Sequence, residues 1–234
     1  MNRAWVVWGA LVLAVPASAS AGNLTIRAGG FFPRAESNLF DDISDLYTRE
    51  GSGDEQPPGI QKSDWAGFTG GIAYFSKVAP NVELGVSVDG YGRQIDTSYR
   101  NYTRPDGSEV QQTLRLRMVP IGLSVRFGPT SRRARLAPYL EVGGDAISYK
   151  YEAFGDFIDF FDPDLAILAD SFVSEGFGFG FHVAGGLKVP INPDFSIVGE
   201  GRYQRAKHQM ADDFRNNEID LGGWSATVGF NIRF

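Results

Sequence analysis

Hydrophobic and polar residues alternate one by one in several stretches of the chain. The most regular stretch is the last one, whose apolar positions are Trp224, Ala226, Val228, Phe230, Ile232 and Phe234. Small or polar residues occupy the positions between them. Successive side chains of a β-strand point to opposite faces, so this segment predicts a strand with one apolar and one polar face.

The same alternation recurs seven times upstream. The segments that carry it are residues 24–32, 68–74, 82–89, 113–127, 137–150, 177–188 and 195–205. With the final segment this makes eight predicted strands, most of them close to the roughly 9–11 residues of a tilted membrane strand. The pattern therefore predicts an all-β protein built from eight antiparallel strands.

The segment 113–127 departs from a simple alternation. Leu114, Leu116 and Met118 share one parity, whereas Ile121 and the apolar residues after it have the other. Pro120 stands at the change, and proline has no N–H for a ladder hydrogen bond. We therefore expect a β-bulge at Pro120 that moves the second half of the strand to the opposite phase.

The connections between the predicted strands alternate in length. The short ones are residues 76–81, 128–136 and 190–194, and the long ones are 33–64, 92–112, 150–176 and 206–222. Short periplasmic turns and long extracellular loops are typical of outer-membrane barrels. The fold predicted is an eight-stranded antiparallel up-and-down transmembrane β-barrel. A soluble lipocalin-like barrel or a sandwich is the alternative, because alternation does not say which face is inside.

The first residues predict export. Arg3 precedes an apolar run from Ala4 to Val15, and a stretch of small residues from Ala17 to Ala21 follows as the cleavage site. This order is typical of a signal peptide, and the run is shorter than the roughly 20 residues of a spanning helix. We expect residues 1–21 to be the signal peptide, residues 22–234 to be the barrel domain, and the bacterial outer membrane to be the location. An N-terminal membrane anchor is the alternative.

Composition narrows the function. The chain has no cysteine, which excludes disulfides and thiolate chemistry, and its net charge of −6 argues against nucleic-acid binding. It is rich in glycine, with 29 residues, and in aromatic residues, at 13%. Both features suit membrane strands with aromatic girdles.

The last strand also carries a resemblance. Phe230, Ile232 and the terminal Phe234 resemble the C-terminal signal that the outer-membrane assembly machinery reads. The segments Pro138–Gly144 and Gly199–Tyr203 are similar to strands of the small-barrel families that include the OmpA transmembrane domain, OmpX, OmpW and the opacity proteins. The resemblance implies an outer-membrane barrel in contact with lipid and lipopolysaccharide, and it implies no particular activity.

If the apolar faces contact lipid, the charged residues face the lumen. We expect a lumen charge network formed by Arg27, Asp89, Arg117, Glu141, Asp145, His182, Glu200 and Arg202. Glu83, Lys188 and Arg233 should lie nearer the periplasm. An eight-stranded barrel is barely wide enough for its own side chains, so these charges predict a salt-bridged plug with a structural or surface-interaction role. A narrow channel or a transport path for a small solute is the alternative.

The long segment 150–176 is acidic and aromatic. It could bind an unidentified extracellular partner, or lipopolysaccharide through divalent cations, whereas the simpler interpretation is an aromatic belt below a solvated acidic loop. We also expect a short helix over Asp164–Val173.

The sequence offers little for catalysis. A lipid A deacylase of the PagL kind needs a serine, a histidine and an acid, and the only histidines are His182 and His208. His208 lacks the His-x-Ser spacing of that family, and Ser196 and Ser225 are the serines expected on the same face as His182. We therefore expect no catalytic residues, no cofactor and no metal site, with a lipid A-modifying enzyme as a remote alternative.

Overall fold

The computed structural model describes residues 22–49, 59–129, 136–160, 162–210, 214 and 217–234. The predicted signal peptide lies outside the described residues. The elements are β1 (Gly22–Pro33), α1 (Asn38–Leu46), β2 (Tyr47–Arg49), a 3-10 helix (Lys62–Trp65), β3 (Gly67–Ala79), β4 (Val82–Thr103), β5 (Glu109–Phe127), β6 (Ala137–Ile158), β7 (Ile167–Pro190), β8 (Phe195–Gln209), β9 (Glu218–Asp220) and β10 (Gly223–Arg233). None of the helices among these residues is long and apolar enough to cross a membrane.

The eight long strands close into a ring. Each pairs antiparallel with its neighbours, and β10 pairs with both β8 and β1. The row of paired residues that starts at Asn23 passes through Phe75, Gly85, Ser124 and on around the ring, and it returns to β1 at Pro33. This stagger is the strand tilt that closure requires. The predicted eight-stranded barrel is confirmed.

The barrel is polar inside and apolar outside. On β1, Thr25 and Arg27 are buried in the interior, whereas Ile26 between them is 53% exposed on the outer wall. Phe68 and Phe179 are even more exposed, at 70% and 76%. A soluble barrel has the opposite arrangement, so the outer wall is suited to lipid rather than water.

The expected bulge at Pro120 is wrong. The pairing of β4 with β5 runs from Val88–Ile121 to Tyr91–Met118 in one register, so the missing N–H of Pro120 interrupts the ladder without shifting it. Even-numbered positions of β5 face inward along its whole length. What changes along β5 is the interior, which is polar beside Ser124 and apolar beside Leu114.

Two connections predicted as long loops are β-hairpins instead. β4 and β5 continue to a tight connection at residues 104–108, and β6 and β7 stay paired as far as Ile158–Ile167. The helix expected over Asp164–Val173 is wrong, because Ile167–Val173 belongs to β7. These strands are longer than the thickness of a membrane requires. Their ladders pair the backbone N–H and C=O groups along the whole length of the strands, beyond the membrane as well as within it.

The end of the barrel that carries these hairpins, called here the long-loop end, has its own apolar core. The sequence did not predict α1, whose Leu39, Phe40 and Ile43 are buried there. They join Trp65, Leu114 and other apolar residues in one cluster. The helix is amphipathic but only nine residues long, so tertiary packing rather than intrinsic propensity stabilises it.

Candidate functional site

The barrel interior holds a network of buried charges, and Arg27 on β1 is one of its centres. Its Nε and Nη2 donate to the two carboxylate oxygens of Asp89 on β4, at 2.9 and 2.6 Å. Its Nη1 donates to Glu200 on β8, at 2.6 Å. The planar guanidinium therefore joins two strands to β1 through charge-assisted bonds.

Arg202 on β8 contacts the same two acids, Asp89 and Glu200, and also Glu141 on β6. It lies 3.2 Å from Glu141, 3.4 Å from Glu200 and 3.5 Å from Asp89. Each of the three carboxylates also contacts a second basic side chain, so no single pair holds the network together. Such sharing offsets the cost of burying each charge.

His182 on β7 lies between two carboxylates of β6. Its Nδ1 is 2.8 Å from Asp145 Oδ2, and its Nε2 is 3.3 Å from Glu141 Oε1. The Oγ of Ser124 lies 3.1 Å from the same Nε2. Gly122 and Gly143 make room for the imidazole, because a Cβ at Gly143 would lie 2.5 Å from His182 Cε1.

The most connected residue that sequence reasoning missed is Arg126 on β5. It lies 2.8 Å from Glu141, 3.7 Å from Glu200 and 3.8 Å from Glu83. Its guanidinium carbon stands 3.5 Å from the ring centroid of Phe75 and 4.2 Å from that of Tyr139. The signal was present: the odd positions Ile121, Leu123 and Val125 are apolar, which places the even position 126 inside.

Toward the opposite end, with the short turns, the network ends on Lys188 and Glu83, whose Nζ and Oε2 are 3.2 Å apart. Asn23 donates to the other oxygen of Glu83 at 2.7 Å. Arg233 on β10 reaches the side-chain oxygen of Asn23 at 3.4 Å. Glu83, Lys188 and Arg233 thus lie toward the end of the barrel with the short turns.

The structure brings together most of the predicted lumen charges, namely Arg27, Asp89, Glu141, Asp145, His182, Glu200 and Arg202. It does not bring Arg117 there. Arg117 is exposed on the outer wall of β5. It was assigned to the lumen because the expected bulge would have put Leu116 and Met118 on the lipid side, and the continuous register reverses that assignment.

The network leaves little free space. A cavity of about 30 Å³ lies beside it toward the long-loop end, between Arg27, Asp89, Glu200 and Arg202. This is room for one or two water molecules. The rings of Phe75 and Tyr139 close the space around Arg126. Around the network, the described interior is filled by side chains, and its charged groups are paired with one another.

Ser124, His182 and Asp145 have the spacing of a nucleophile, a base and an orienting acid. Sequence reasoning named Ser196 and Ser225 as partners for His182, whereas the serine that reaches it is Ser124 on β5. Ser124 and His182 are each only 1% exposed, and Nε2 also faces the Glu141 carboxylate. In this geometry the three side chains form a buried hydrogen-bonded link between β5, β6 and β7. His208 instead packs its ring against Tyr149, with centroids 5.3 Å apart.

Among the described residues, no group of three or more metal-binding side chains could hold a metal ion. The predicted C-terminal signal residues Phe230 and Phe234 lie exposed on the outer wall. At the start of β1, Gly22 exchanges backbone hydrogen bonds of 3.1 and 3.2 Å with Phe234.

Comparison with known proteins agrees with this architecture. Two solved structures of similar fold are Neisserial surface protein A (NspA), with a TM-score of 0.51 and 13% identity, and OprG from Pseudomonas aeruginosa, with a TM-score of 0.52 and 12% identity. Each match covers 92% of this chain and 97% of the other. At this identity the likeness concerns the fold alone. No curated protein matches the sequence.

The family model described as "Outer membrane protein beta-barrel domain" matches residues 8–234. That range includes all eight strands of the ring and every residue of the interior charge network. The chain therefore belongs to the outer-membrane β-barrel family.

Proposed function

We propose that this protein is a plugged, non-conducting barrel with a structural and surface-interaction role in the bacterial outer membrane, and that the N-terminal segment 1–21 is the signal peptide for its export. The long-loop end faces the outside of the cell and presents the site of interaction. The observation that carries the proposal is the interior network, in which Arg27, Arg126 and Arg202 share the carboxylates of Asp89, Glu141 and Glu200.

The energetics of the network support a closed lumen. An ion that crosses the barrel has to separate Arg27 from Asp89 and Glu200, which are both 2.6 Å away. Leaving a charge buried without its partner costs about 3–5 kcal/mol. Because Arg202 also contacts both of these carboxylates and Arg126 contacts Glu200, movement of one arginine leaves several acids short of a partner. The closed arrangement is therefore strongly preferred.

The surfaces of the barrel suggest its partners. The apolar outer wall contacts outer-membrane lipid, including lipopolysaccharide in the outer leaflet. The final strand, with Phe230, Ile232 and Phe234, is read by the outer-membrane assembly machinery. The hairpins and α1 at the long-loop end remain for an extracellular partner, and this end is capped by packed side chains rather than by the network.

Conductance tests the proposal directly. Refolded protein of residues 22–234 is placed in a planar bilayer at high salt, after a heat-sensitive gel shift has confirmed folding. We expect no discrete current steps. Reproducible steps from the folded protein would overturn the plugged barrel.

A narrow channel is the second candidate, and the small cavity beside Arg27 and Arg202 is the observation that favours it. Water there would hydrate the network from the long-loop side. If the barrel conducts, Glu200→Lys and Arg202→Glu should shift the ion selectivity in opposite directions, because both side chains face the lumen. Arg117→Glu, on the outer wall, is the matched control and should leave the selectivity unchanged.

A further inference from the structure

A second cavity lies at the long-loop end, outside the charge network. It has a volume of about 230 Å³ and lies between α1 and the extended parts of β5, β6 and β7. Tyr151 forms part of its buried floor, and Tyr47, Phe157, Phe172 and Phe214 are half-buried around it. Asp42 of α1 lies exposed at the rim. The cavity is thus an aromatic pocket with a carboxylate at its mouth.

The rings of this pocket stand across one another instead of stacking. The planes of Phe157 and Phe172 meet at 86°, with centroids 4.9 Å apart. Phe214 meets Tyr151 at 75° and Phe172 at 77°. These edge-to-face contacts hold the rings in place along the pocket, and the negative face of an aromatic ring attracts a cation placed against it.

The charge at the mouth favours a cation as well. Asp42 receives a hydrogen bond from the Asn217 amide at 3.3 Å, and none of the described residues that line the pocket is basic. α1 carries three aspartates and no lysine or arginine. Arg100 does contact this helix, but it donates to the Ser44 carbonyl oxygen, and neither residue lines the pocket.

We propose that this pocket binds an organic cation of the quaternary ammonium class. The rings surround the alkylated ammonium group, and Asp42 balances its charge from the rim. A volume of about 230 Å³ equals that of about seven or eight water molecules, which accommodates a trimethylammonium head with a short chain. The inference does not depend on the proposed plug, because the pocket lies outside the lumen network and a conducting barrel would keep it.

Calorimetric titration of choline tests the charge requirement. The refolded protein of residues 22–234 is kept in an alkyl glucoside detergent, because phosphocholine detergents would fill the site. The neutral isostere 3,3-dimethyl-1-butanol has the same shape as choline without its charge. We expect choline to bind at least tenfold more tightly than the neutral isostere. Equal affinity for the two compounds, or no binding of choline, would overturn the proposal.

Variants test which groups hold the cation. Asp42→Asn should weaken choline binding about five- to tenfold and leave the affinity for the isostere unchanged. Asp45→Asn is the matched control, since Asp45 is exposed on the same helix but does not line the pocket. Phe172→Leu should weaken choline binding, and Phe172→Tyr should restore it. Equal losses in the two aspartate variants would overturn the role of Asp42. The gel shift confirms that each variant is folded.

A free choline-type cation and a choline headgroup on another membrane share this chemistry. Co-flotation of protein-containing vesicles with phosphatidylcholine vesicles, blocked by free choline and lost in Asp42→Asn, identifies the headgroup as the ligand. Choline binding without co-flotation identifies a free cation.

Discussion

The guanidinium carbon of Arg126 lies 3.5 Å from the centroid of the Phe75 ring, in the interior of the barrel. Phe75 is completely buried. Arg126 therefore has three carboxylates around it and a buried apolar ring against one face of its guanidinium. A cation over an aromatic face in a site shielded from water gains about 2 kcal/mol or more. The contact joins β3 to β5 across β4, and it links the ion network to the packed wall.

Removing the Arg126 charge should destabilise the barrel strongly. Arg126→Met leaves the carboxylates of Glu141, Glu83 and Glu200 with fewer basic partners, and we expect a loss of about 3–5 kcal/mol in the free energy of unfolding. Equilibrium unfolding in urea, followed by tryptophan fluorescence, measures it. Arg117→Met is the matched control on the same strand and the opposite face, with an expected change within about 0.5 kcal/mol. Similar losses in both variants would contradict the register assigned to β5.

The space that Phe75 occupies depends on Gly85, its directly paired residue on β4. A Cβ at Gly85 would lie 2.3 Å from a Phe75 ring carbon, so Gly85→Ala must displace the ring and with it Arg126. We expect a loss of about 1–3 kcal/mol, the usual cost of overpacking. Gly199→Ala is the control, because nothing lies within 4 Å of a Cβ there. A stable Gly85→Ala variant would show that Phe75 can move freely.

Ser124 should matter for stability and not for chemistry. Ser124→Ala removes its contact with His182 Nε2, and we expect a loss of about 1 kcal/mol. Mass spectrometry of lipid A and phospholipids, after incubation with the wild-type protein and with the variant, should show identical acylation. Release of acyl chains by the wild-type protein alone would assign a catalytic role to Ser124.

Asp220 should hold the long-loop end in place. Its buried carboxylate accepts from Arg34 Nε at 3.1 Å and from the Glu36 and Gly222 backbone N–H groups at 3.2 and 2.9 Å. A hydrogen bond to Tyr203 and, to a smaller extent, the charge of Asp220 raise the pKa of the Arg34 guanidinium. Asp220→Ala should make residues 34–49 cleavable by protease at least several-fold faster.

The exposed Glu218→Ala provides the control for that experiment, since Glu218 pairs with Lys207 in a solvent-accessible position. We expect both variants to retain the heat-sensitive gel shift of the barrel. Equal protease resistance of Asp220→Ala and the wild-type protein would contradict the anchoring role.

The faces of the strands could be predicted from the sequence where one chemistry persists along the strand. Arg27 was placed inside correctly because Leu24, Ile26 and Ala28 have the opposite parity, and parity is a local property of an extended chain. Arg117 was misplaced because β5 runs from a polar interior into an apolar one. Alternation does not reveal which face is buried, and a proline suggested a bulge that the ladder does not contain.

The sequence by itself determined the eight strands and the apolar and polar face of each, because a two-residue period specifies the two faces of a strand without reference to any other. Which face lies inside was decided by the closed ring. The tertiary structure alone decided which charges meet. Ser124 and His182 are 58 positions apart, and Arg27 and Glu200 are 173 apart. These contacts follow from the stagger of the closed ring, which sums the registers of all eight pairings. The packing of α1 and the aromatic pocket also required the tertiary structure, since a short helix is stabilised by the surface it covers.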